Sequence, residues 1–526
     1  MVPTWDYWRV SQYLTQIEAL DPRFLWAQHN EHRIVLPDAV FALDVLLFHG
    51  RRVLPLIISF LCYAGSGVLL GYVIAQETSI SREFRVAIIL LASVTIGWKG
   101  CTLVLADPFL LQWTLVELAV LVSLLLLARA PGTVHWWPLA ATVAAGVSAT
   151  YSSGNGLLLW PVLLAAGWLL RLSRRQMVAL ALSALVADGL YFVGYHFSDR
   201  TKFADLLLHP GYTICFVAAY LSMPFGGMKS PQFGVYVGLI NLGLTLLLLA
   251  VAVRYKALAT TPGVVLFGSY FFNVLSAILI AAGRMDVTDF TFTGPKANRY
   301  LAPVLINWGV FITLLLWTAA LRRWRIFSPA VLAGMIAVLL AISFLKLGWW
   351  LKTGERDFVN EQITELAIEN GLQDRKLFRQ IFPDPGFVER SLPALKAAHL
   401  SIFYKNPGKW LGQPASRFAP SVSSQIPGAV NRILPVTSGV EVVGWARDRD
   451  RPGFSQVLLA NRSGAIIGLG RRLPQGLPTE LLSPGMPAHF AWVGFVPAQY
   501  ASGRFSALVV TDGARELQPV QGSYGF

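Results

Sequence analysis

The sequence predicts a polytopic α-helical membrane protein of about ten transmembrane helices, followed by a soluble segment of helices and loops and a small β-sandwich. Hydrophobic residues make up 55% of the 526 residues, and charged residues make up only 14%. The mean hydropathy is +0.54, which is far more apolar than an ordinary soluble domain. The apolar residues also gather in runs long enough to cross a bilayer, so the fold class follows from composition and run length together.

The predicted spans follow one another between residues 53 and 347. Because a bilayer core takes about 20 apolar residues per helix, we expect spans at residues 53–76, 86–105, 112–129, 137–151, 156–171, 177–196, 233–253, 263–283, 300–320 and 327–347. Residues 1–52 precede the first span and are predicted to be a loop. The segment 211–225 is apolar but short, so its status depends on the orientation of its neighbours.

The basic loops orient these spans, because loops rich in Lys and Arg stay in the cytoplasm. Such loops include "RLSRR" (171–175), "RYK" (254–256) and "RRWR" (322–325). They share one side only if 211–225 does not cross, so 197–232 is predicted to be an external loop with a re-entrant or membrane-lying helix. Counting the crossings from these cytoplasmic loops places residues 1–52, residues 284–299 and everything after 347 on the external side. It also explains the net charge of +14, so nucleic acid is not an expected partner.

The composition changes after residue 347. Residues 348–430 carry charges at helical spacing, as in "ERDFVNEQITELAIEN", followed by loops punctuated with proline, and they predict an external helical and loop segment. Residues 431–526 alternate short β-rich runs with Gly, Asp and Asn turns. That pattern is typical of an antiparallel β-sandwich.

Charged groups close to a membrane are costly and usually persist for a functional reason. The first external cluster is "WDYW", in which Asp6 stands among Trp5, Tyr7 and Trp8. Its rings could stack on a sugar while the carboxylate takes a proton from an acceptor hydroxyl. The structural alternative is an aromatic belt at the membrane interface beside a solvated acid.

The second cluster is "QHNEHR", which contains His29, Asn30, Glu31, His32 and Arg33. If the segment is helical, the two histidines share one face. We expect these residues to form a hydrogen-bonding platform for a phosphate or a sugar. A metal site would need further ligands and is not expected, and a polar helix start is the structural alternative.

Two further external clusters complete the candidate site, and their candidate residues are Lys99, Asp107, Arg284, Lys296, Asn298, Arg299 and Tyr300. Cations on the outer side oppose the positive-inside trend, and Arg suits bidentate phosphate recognition while Lys acts as a point charge. We therefore expect an anionic ligand. The alternatives are pairing with Asp286 and Asp289 or with lipid headgroups, and Asp107 is either a second acid or a helix cap.

At "WDYW", "WAQHNEHRIVLP" and "GPKANRY" the chain resembles bacterial polytopic glycosyltransferases of the GT-C class. The resemblance implies a GT-C-like transmembrane domain in the bacterial inner membrane, with a periplasmic C-terminal domain that looks like a lectin-like sandwich. It implies a polyprenyl-phosphate sugar as donor, a cell-envelope glycan or lipid as acceptor, and surrounding membrane lipids. It implies that Asp6 is the catalytic base and that the 284–300 cluster binds the phosphate of the lipid-linked donor. It also implies a further helix ahead of Met1.

The reaction implied by this resemblance is an inverting sugar transfer. The acceptor hydroxyl, deprotonated by Asp6, attacks the anomeric carbon, and the phosphate leaves into Arg and Lys contacts. No cofactor is expected, although a divalent cation with Asp6 and Asp107 is left open. The rival readings are a flippase or transporter of lipid-linked sugars, an O-antigen ligase or polymerase, and a binding or scaffolding protein.

Overall fold

The computed structural model of the protein describes residue 3 and residues 5–98, 106–132, 135–197, 203–225, 231–284, 286–287, 294, 298–322, 328–405, 407–418, 421–422, 424–447, 454–472, 490–511 and 516–526. Most of the chain is helical. It divides into two compact units. The terminal unit comprises Met1–Ala19, Leu43–Val53 and Trp349–Phe526, and the helical unit comprises Leu20–Ala42 and Leu54–Gly348.

The α-helices are numbered here in chain order. They are α1 (Leu14–Glu18), α2 (Val35–Phe48), α3 (Val53–Ala75), α4 (Arg82–Ile96), α5 (Leu111–Leu127), α6 (Trp137–Thr150), α7 (Leu159–Leu169), α8 (Arg174–Tyr191), α9 (Phe203–Leu208), α10 (Pro210–Leu221), α11 (Pro231–Arg254), α12 (Thr261–Arg284), α13 (Leu301–Leu321), α14 (Pro329–Glu369), α15 (Arg375–Phe378), α16 (Pro385–Ala397) and α17 (Ala415–Phe418). Short 3-10 helices include Trp5–Gln12, Pro22–Trp26, Pro108–Leu110, Gly154–Leu158, Met223–Phe225 and Asn298–Tyr300.

The membrane character predicted from composition is supported by the helices. Within the described residues, five helices are long and apolar enough to cross a membrane, and they are Val53–Ala75, Pro108–Leu127, Gln232–Arg254, Thr261–Arg284 and Leu301–Leu321. Other predicted spans form shorter helices, such as the 14 residues of α6 and the 11 residues of α7. Residues 1–52, predicted to be a loop, contain the 14-residue helix α2. Its apolar run was hidden by two acids, Asp38 and Asp44.

The core of the helical unit contains two large apolar clusters, and helices α3, α5 and α12 contribute to both. One cluster joins α3, α4, α10 and α13, and the other joins α5, α6, α7 and α8. Helix α12 contributes Tyr270 to the first and Phe272 to the second, so it lies at the centre of the bundle. The predicted external segment 211–225 forms α10, whose second half is fully buried. A side chain at Gly238 of α11 would lie 1.9 Å from the carbonyl oxygen of Ala218, so these two helices cross backbone to backbone.

The strands of the terminal unit form one sheet instead of the two packed sheets of a sandwich. They are β3 (Ser421–Val422), β4 (Gly428–Val436), β5 (Gly439–Ala446), β6 (Phe454–Asn461), β7 (Ile466–Arg472), β8 (Ala491–Pro497), β9 (Arg504–Thr511), β10 (Glu516–Pro519) and β11 (Tyr524–Gly525). The order is β3-β10-β9-β6-β7-β8-β5-β4, with β11 paired to β9. Among the described strands, β3 and β10 pair parallel and the other pairs are antiparallel. The result is a half-barrel.

Both faces of the central strands of this sheet are buried, as the residues of β8 show. Successive residues alternate between two apolar clusters, as Trp492 and Val493 do. The cluster of Val493 also contains Ile363 and Leu366 from the end of α14. The other cluster is built from the opposite face of the strands. Alternation with period two fits a half-buried strand equally well, so the sequence pattern alone did not distinguish the two architectures.

Candidate functional site

The segment "QHNEHR" forms a β-hairpin and not the helix that we considered. Strands β1 (Gln28–His29) and β2 (His32–Arg33) pair antiparallel, with His29 opposite His32. Asn30 occupies the turn with a φ of +49°, a left-handed conformation that Asn tolerates better than most residues. Directly opposed residues point to the same side of a hairpin, so the two histidines share a face through strand pairing and not through the helical spacing that we considered.

Polar contacts fasten the hairpin to the chain that follows α8. The side-chain amide of Gln28 donates to the carbonyl of His196 at 2.7 Å, and the backbone N–H of His196 donates back to Gln28 at 2.9 Å. The hydroxyl of Tyr195 donates to the carbonyl of Glu31 at 2.9 Å. These contacts pair the hairpin backbone with groups that lie 164 and 168 residues away, so the hairpin is held in one orientation.

Arg33 is a structural residue in this arrangement. Its side chain is buried, and its guanidinium donates to the carbonyls of Trp26, Tyr191 and Val193. The guanidinium also lies 5.0 Å from the ring centroid of Trp26. All three guanidinium nitrogens therefore have protein acceptors, and the predicted contact of Arg33 with a phosphate or sugar stays a prediction.

His32 is packed against the turn that precedes α7. Its Nδ1 accepts a 3.2 Å hydrogen bond from the backbone N–H of Gly154, which assigns the proton of a neutral ring to Nε2. A side chain at position 154 would lie 2.7 Å from that nitrogen, so only glycine permits the contact. Burial lowers the pKa of His32 to about 4, opposed by Glu31 and assisted by His29, Arg284 and Arg299.

Glu31 and Arg284 form the charged part of the site. Arg284 ends helix α12, and its Nη2 lies 4.0 Å from Oε2 of Glu31. Both side chains keep partial exposure, with 33% for Arg284 and 20% for Glu31. The charge of Arg299 is close enough to act on His32, and Arg299 is exposed. We call Glu31, His32, Arg284 and Arg299 the hairpin site.

Two further predicted residues, His29 of the hairpin and Asp107, have contacts within the fold. The His29 ring lies 4.9 Å from the ring of Phe109, and its Nε2 lies 3.1 Å from Nδ2 of Asn30. Asp107 accepts a 3.0 Å hydrogen bond from the backbone N–H of Phe109 and caps the 3-10 helix there. Asp107 thus caps a helix, which was one of the two alternatives considered for it. Lys99 lies outside the described residues.

The residues that lead into α13 divide between core and surface. Tyr300 is buried, with its ring 5.4 Å from Trp113 and 5.6 Å from Tyr220. Its predicted contact with a ligand is therefore replaced here by aromatic packing. Asn298 starts the short 3-10 helix ahead of α13, and Lys296 lies outside the described residues.

The first predicted cluster belongs to the terminal unit, whereas the hairpin site belongs to the helical unit. Trp5 and Asp6 begin the 3-10 helix Trp5–Gln12, and Asp6 is partly exposed. Tyr7 and Trp8 are buried, so neither ring offers a free face in this structure. A stacking role for these two rings would require them to be uncovered and stays a prediction, as does the role of Asp6 as a base.

A polar cavity of about 340 Å³ lies at the opposite end of α12 from the hairpin site. Its lining includes Tyr72, Glu77, Arg129 and Thr261. Trp317 donates to Glu77 at 3.4 Å, and Arg129 donates to the hydroxyl of Tyr72 at 2.7 Å. These polar groups already bond to one another, and the cavity shares no residue with the hairpin site.

The arrangement of the hairpin site suits an anion that carries hydroxyl groups. Two guanidinium groups with solvent access can bind phosphate oxygens, and the carboxylate of Glu31 can accept a hydrogen bond or a proton from a hydroxyl. The sequence interpretation missed Tyr195, His196 and Gly154, because they act through backbone contacts with distant residues. Glu117, a lone acid inside a predicted span, was also missed, although an acid within an apolar run is a visible signal.

Comparisons with models of protein families, with curated proteins and with solved structures give no match for this chain. The hairpin site therefore rests on its own geometry and chemistry.

Proposed function

We propose that the protein is a membrane glycosyltransferase, which moves a sugar from a polyprenyl-phosphate donor to a cell-envelope glycan or lipid on the external face. The observation that carries the proposal is the pairing of Arg284 with Glu31, 4.0 Å apart and both partly exposed, at the end of an apolar helix. A cation and a carboxylate so placed match a ligand with a phosphate and hydroxyls.

The surroundings of the hairpin site support a donor borne by a lipid. Arg284 ends α12, and Arg299 stands immediately ahead of α13, and both helices are apolar enough to cross a membrane. A phosphate bound there would place its polyprenyl chain beside apolar helix surface. We also propose that the shorter helices cross the bilayer, which gives about ten spans in all. The membrane would be a bacterial inner membrane, and the half-barrel would lie on its external side.

Sugar transfer at this site would proceed by displacement at the anomeric carbon. A carboxylate takes the proton of the acceptor hydroxyl, and the hydroxyl oxygen forms the new bond as the bond to the phosphate breaks. The electron pair leaves with the phosphate, and Arg284 and Arg299 stabilise the charge that develops on it. Asp6 is the carboxylate that the resemblance to the GT-C class assigns as base, and Glu31 is the one beside these arginines.

The test uses membranes that contain the full chain, supplied with labelled polyprenyl-phosphate hexoses and pentoses. Arg284→Ala removes a charge-assisted contact to phosphate and is expected to lower transfer by about 10- to 100-fold, mainly through the KM for the donor. Asp6→Asn and Glu31→Gln, measured in parallel, identify the base as the one whose loss lowers kcat and leaves donor binding intact.

The matched control is Arg23→Ala in the same unit. The side chain of Arg23 is 86% exposed and binds only Asp21 among its described contacts, so transfer is expected to stay at the wild-type level. Wild-type transfer by Arg284→Ala would contradict the proposed phosphate contact. Donor binding without transfer to any acceptor would contradict the enzymatic function.

A second candidate function, transport of a lipid-linked sugar, is favoured by one observation. Glu117 is buried inside α5, within one of the helices long enough to cross a membrane. Ionisable residues at such depth frequently line transport pathways. Movement of a labelled lipid-linked sugar across reconstituted vesicles, without chemical change, would favour this candidate over the transferase.

A further inference from the structure

Helices α5 and α12 meet at a buried pair of polar side chains. Glu117 of α5 is 3% exposed and Asn273 of α12 is 0% exposed. Nδ2 of Asn273 donates to Oε2 of Glu117 at 3.2 Å and to the carbonyl of Ser269 at 3.2 Å. Both helices are apolar enough to cross a membrane, so a carboxyl group is held deep within apolar surroundings.

Several buried polar atoms of the helical unit have no described hydrogen-bond partner. They belong to both helices and to the neighbouring α10 and α13, and they are Oε1 of Gln112, Nε1 of Trp113, the hydroxyl of Tyr220, Oγ of Ser269, Oδ1 of Asn273, Oγ of Ser276 and both side-chain atoms of Asn307. Buried polar groups in proteins almost always have partners, and exceptions point to a bound water, an ion or a functional role.

Four of these residues, Trp113, Tyr220, Ser269 and Ser276, form one cluster with the pair. Trp113 lies one helical turn from Glu117, and Ser269 and Ser276 lie one turn to either side of Asn273, so each set shares a helix face. The ring of Trp113 meets Tyr300 edge-on, and Tyr300 packs on Tyr220. Tyr220 in turn lies within electrostatic range of Glu117. The cluster therefore brings polar groups of α5, α10 and α12 close to the carboxyl group.

The charge balance of the cluster indicates what it binds. Among the described contacts of Glu117, the one hydrogen-bond donor is the neutral amide of Asn273. A buried carboxylate is strongly unfavourable without a positive partner, so the Glu117 carboxyl group holds either a proton or a cation. The atoms available around it are mainly carboxyl, amide and hydroxyl oxygens, which are the ligands of hard cations. Within the described residues, no three His, Cys, Asp or Glu side chains gather as a metal site, which disfavours a transition metal.

We propose that Glu117 and Asn273 form an intramembrane binding site for a small monovalent cation, with Glu117 as the charge partner and the neighbouring amide and hydroxyl oxygens as neutral ligands. A cation there would balance the carboxylate and give the oxygens of Asn273 and the two serines a partner. The inference does not depend on the proposed sugar transfer, because it concerns different residues and a different ligand.

The experiment measures thermal unfolding of the purified full chain in detergent, at one pH and constant ionic strength, with sodium chloride replacing choline chloride stepwise. A ligand that binds only the folded state raises the Tm with its concentration, so sodium is expected to raise the Tm of the wild-type protein in a saturable way. Binding of radioactive sodium to the same preparation gives an independent readout.

Glu117→Gln keeps the shape of the side chain and removes its charge, and it is expected to abolish both the Tm response and sodium binding. Asn273→Ala is expected to weaken binding by about tenfold or more. Ser123→Ala is the control, because Ser123 is a buried polar residue of the same helix whose hydroxyl bonds to the carbonyl of Val120. Its response to sodium should match that of the wild-type protein.

Three results would overturn the inference. Equal melting of the wild-type protein in sodium and in choline, without sodium binding, would mean that Glu117 is neutralised by a proton and that no sodium occupies the cluster. An unchanged sodium response in Glu117→Gln would place the ion elsewhere. If Glu117→Gln does not fold, Glu117→Asp serves instead, and wild-type sodium affinity in that variant would also contradict the proposal.

Discussion

The hydroxyl of Tyr7 donates a 2.8 Å hydrogen bond to Oδ2 of Asp44, and both side chains are buried. The same oxygen accepts a 2.8 Å bond from the backbone N–H of Arg52. The guanidinium of Arg52 in turn binds Glu361 of α14. The network joins three separate segments of the terminal unit, so the aromatic stretch at the N-terminus has a structural role in addition to any contact with substrate.

Removal of the Tyr7 hydroxyl should destabilise the terminal unit. Tyr7→Phe removes a hydrogen-bond donor from the buried carboxylate of Asp44. We expect it to lower the free energy of unfolding by about 1 to 3 kcal/mol. Chemical unfolding of the purified chain measures it. Tyr236→Phe is the control, because Tyr236 is 63% exposed. Equal stability of Tyr7→Phe and the wild type would mean that the network carries little energy.

Replacement of Arg33 by lysine should loosen the hairpin. The guanidinium of Arg33 donates to three separate carbonyls, and the single ammonium group of lysine cannot reproduce that planar geometry. We expect Arg33→Lys to cost about 2 kcal/mol or more and to increase hydrogen exchange in residues 26–33. The exposed Arg23→Lys is the control, and wild-type exchange in Arg33→Lys would refute the structural role.

The stability of the helical unit should fall in acid because of His32. The pKa of this residue is lowered from its ordinary value of 6.5 to about 4 by burial. Below pH 6.5 the unfolded chain binds a proton that the folded chain does not, so stability falls as the pH drops from 6.5 to 4. The expected loss is at most about 3 kcal/mol.

Thermal unfolding across this pH range, compared between the wild type and His32→Gln, measures the effect. The variant should show a weaker pH dependence between pH 6.5 and 4, whereas His209→Gln, at an exposed position, should behave as the wild type does. An equally steep decline in His32→Gln would assign the acid sensitivity to other groups.

A second pH dependence, of opposite sign, is expected from the terminal unit. Nη2 of Arg471 lies 3.1 and 3.0 Å from the two carboxylate oxygens of Glu369, and Nη1 lies 3.8 Å from Glu365. Burial and the charge of Glu365 raise the pKa of Glu369 to about 7, although Arg471 opposes the shift. The folded chain thus retains a proton that the unfolded chain releases near the ordinary value of 4.5.

The stabilising contribution of Glu369 should therefore be complete below pH 4.5 and be lost as the pH rises to about 7. Glu369→Gln is neutral throughout and should remove this part of the pH dependence, as measured by chemical unfolding. Glu18→Gln, at an exposed position, is the control. Wild-type pH dependence in Glu369→Gln would show that the ion pair with Arg471 keeps Glu369 charged in the folded state.

Several features of the fold were predictable because they depend on local sequence. The five long apolar helices coincide with predicted spans, since the bilayer sets a length that can be read directly from a run of apolar residues. The change of composition after residue 347 falls next to the division between the two units at Gly348 and Trp349, although helix α14 continues without a break to Glu369. Helix α2 was missed because Asp38 and Asp44 interrupt its apolar run, and the half-barrel was taken for a sandwich because both bury alternate residues.

The candidate site was predictable only as a set of residue types. From its sequence alone, this chain is a helical membrane protein with charged residues near the predicted ends of its spans, because run length and charge are local properties. Only the tertiary structure decided that Glu31 meets Arg284, that His32 meets Gly154 and that Arg33 donates to the carbonyls of Tyr191 and Val193. Those partners are more than a hundred residues apart along the chain, and packing of the helices brings them together.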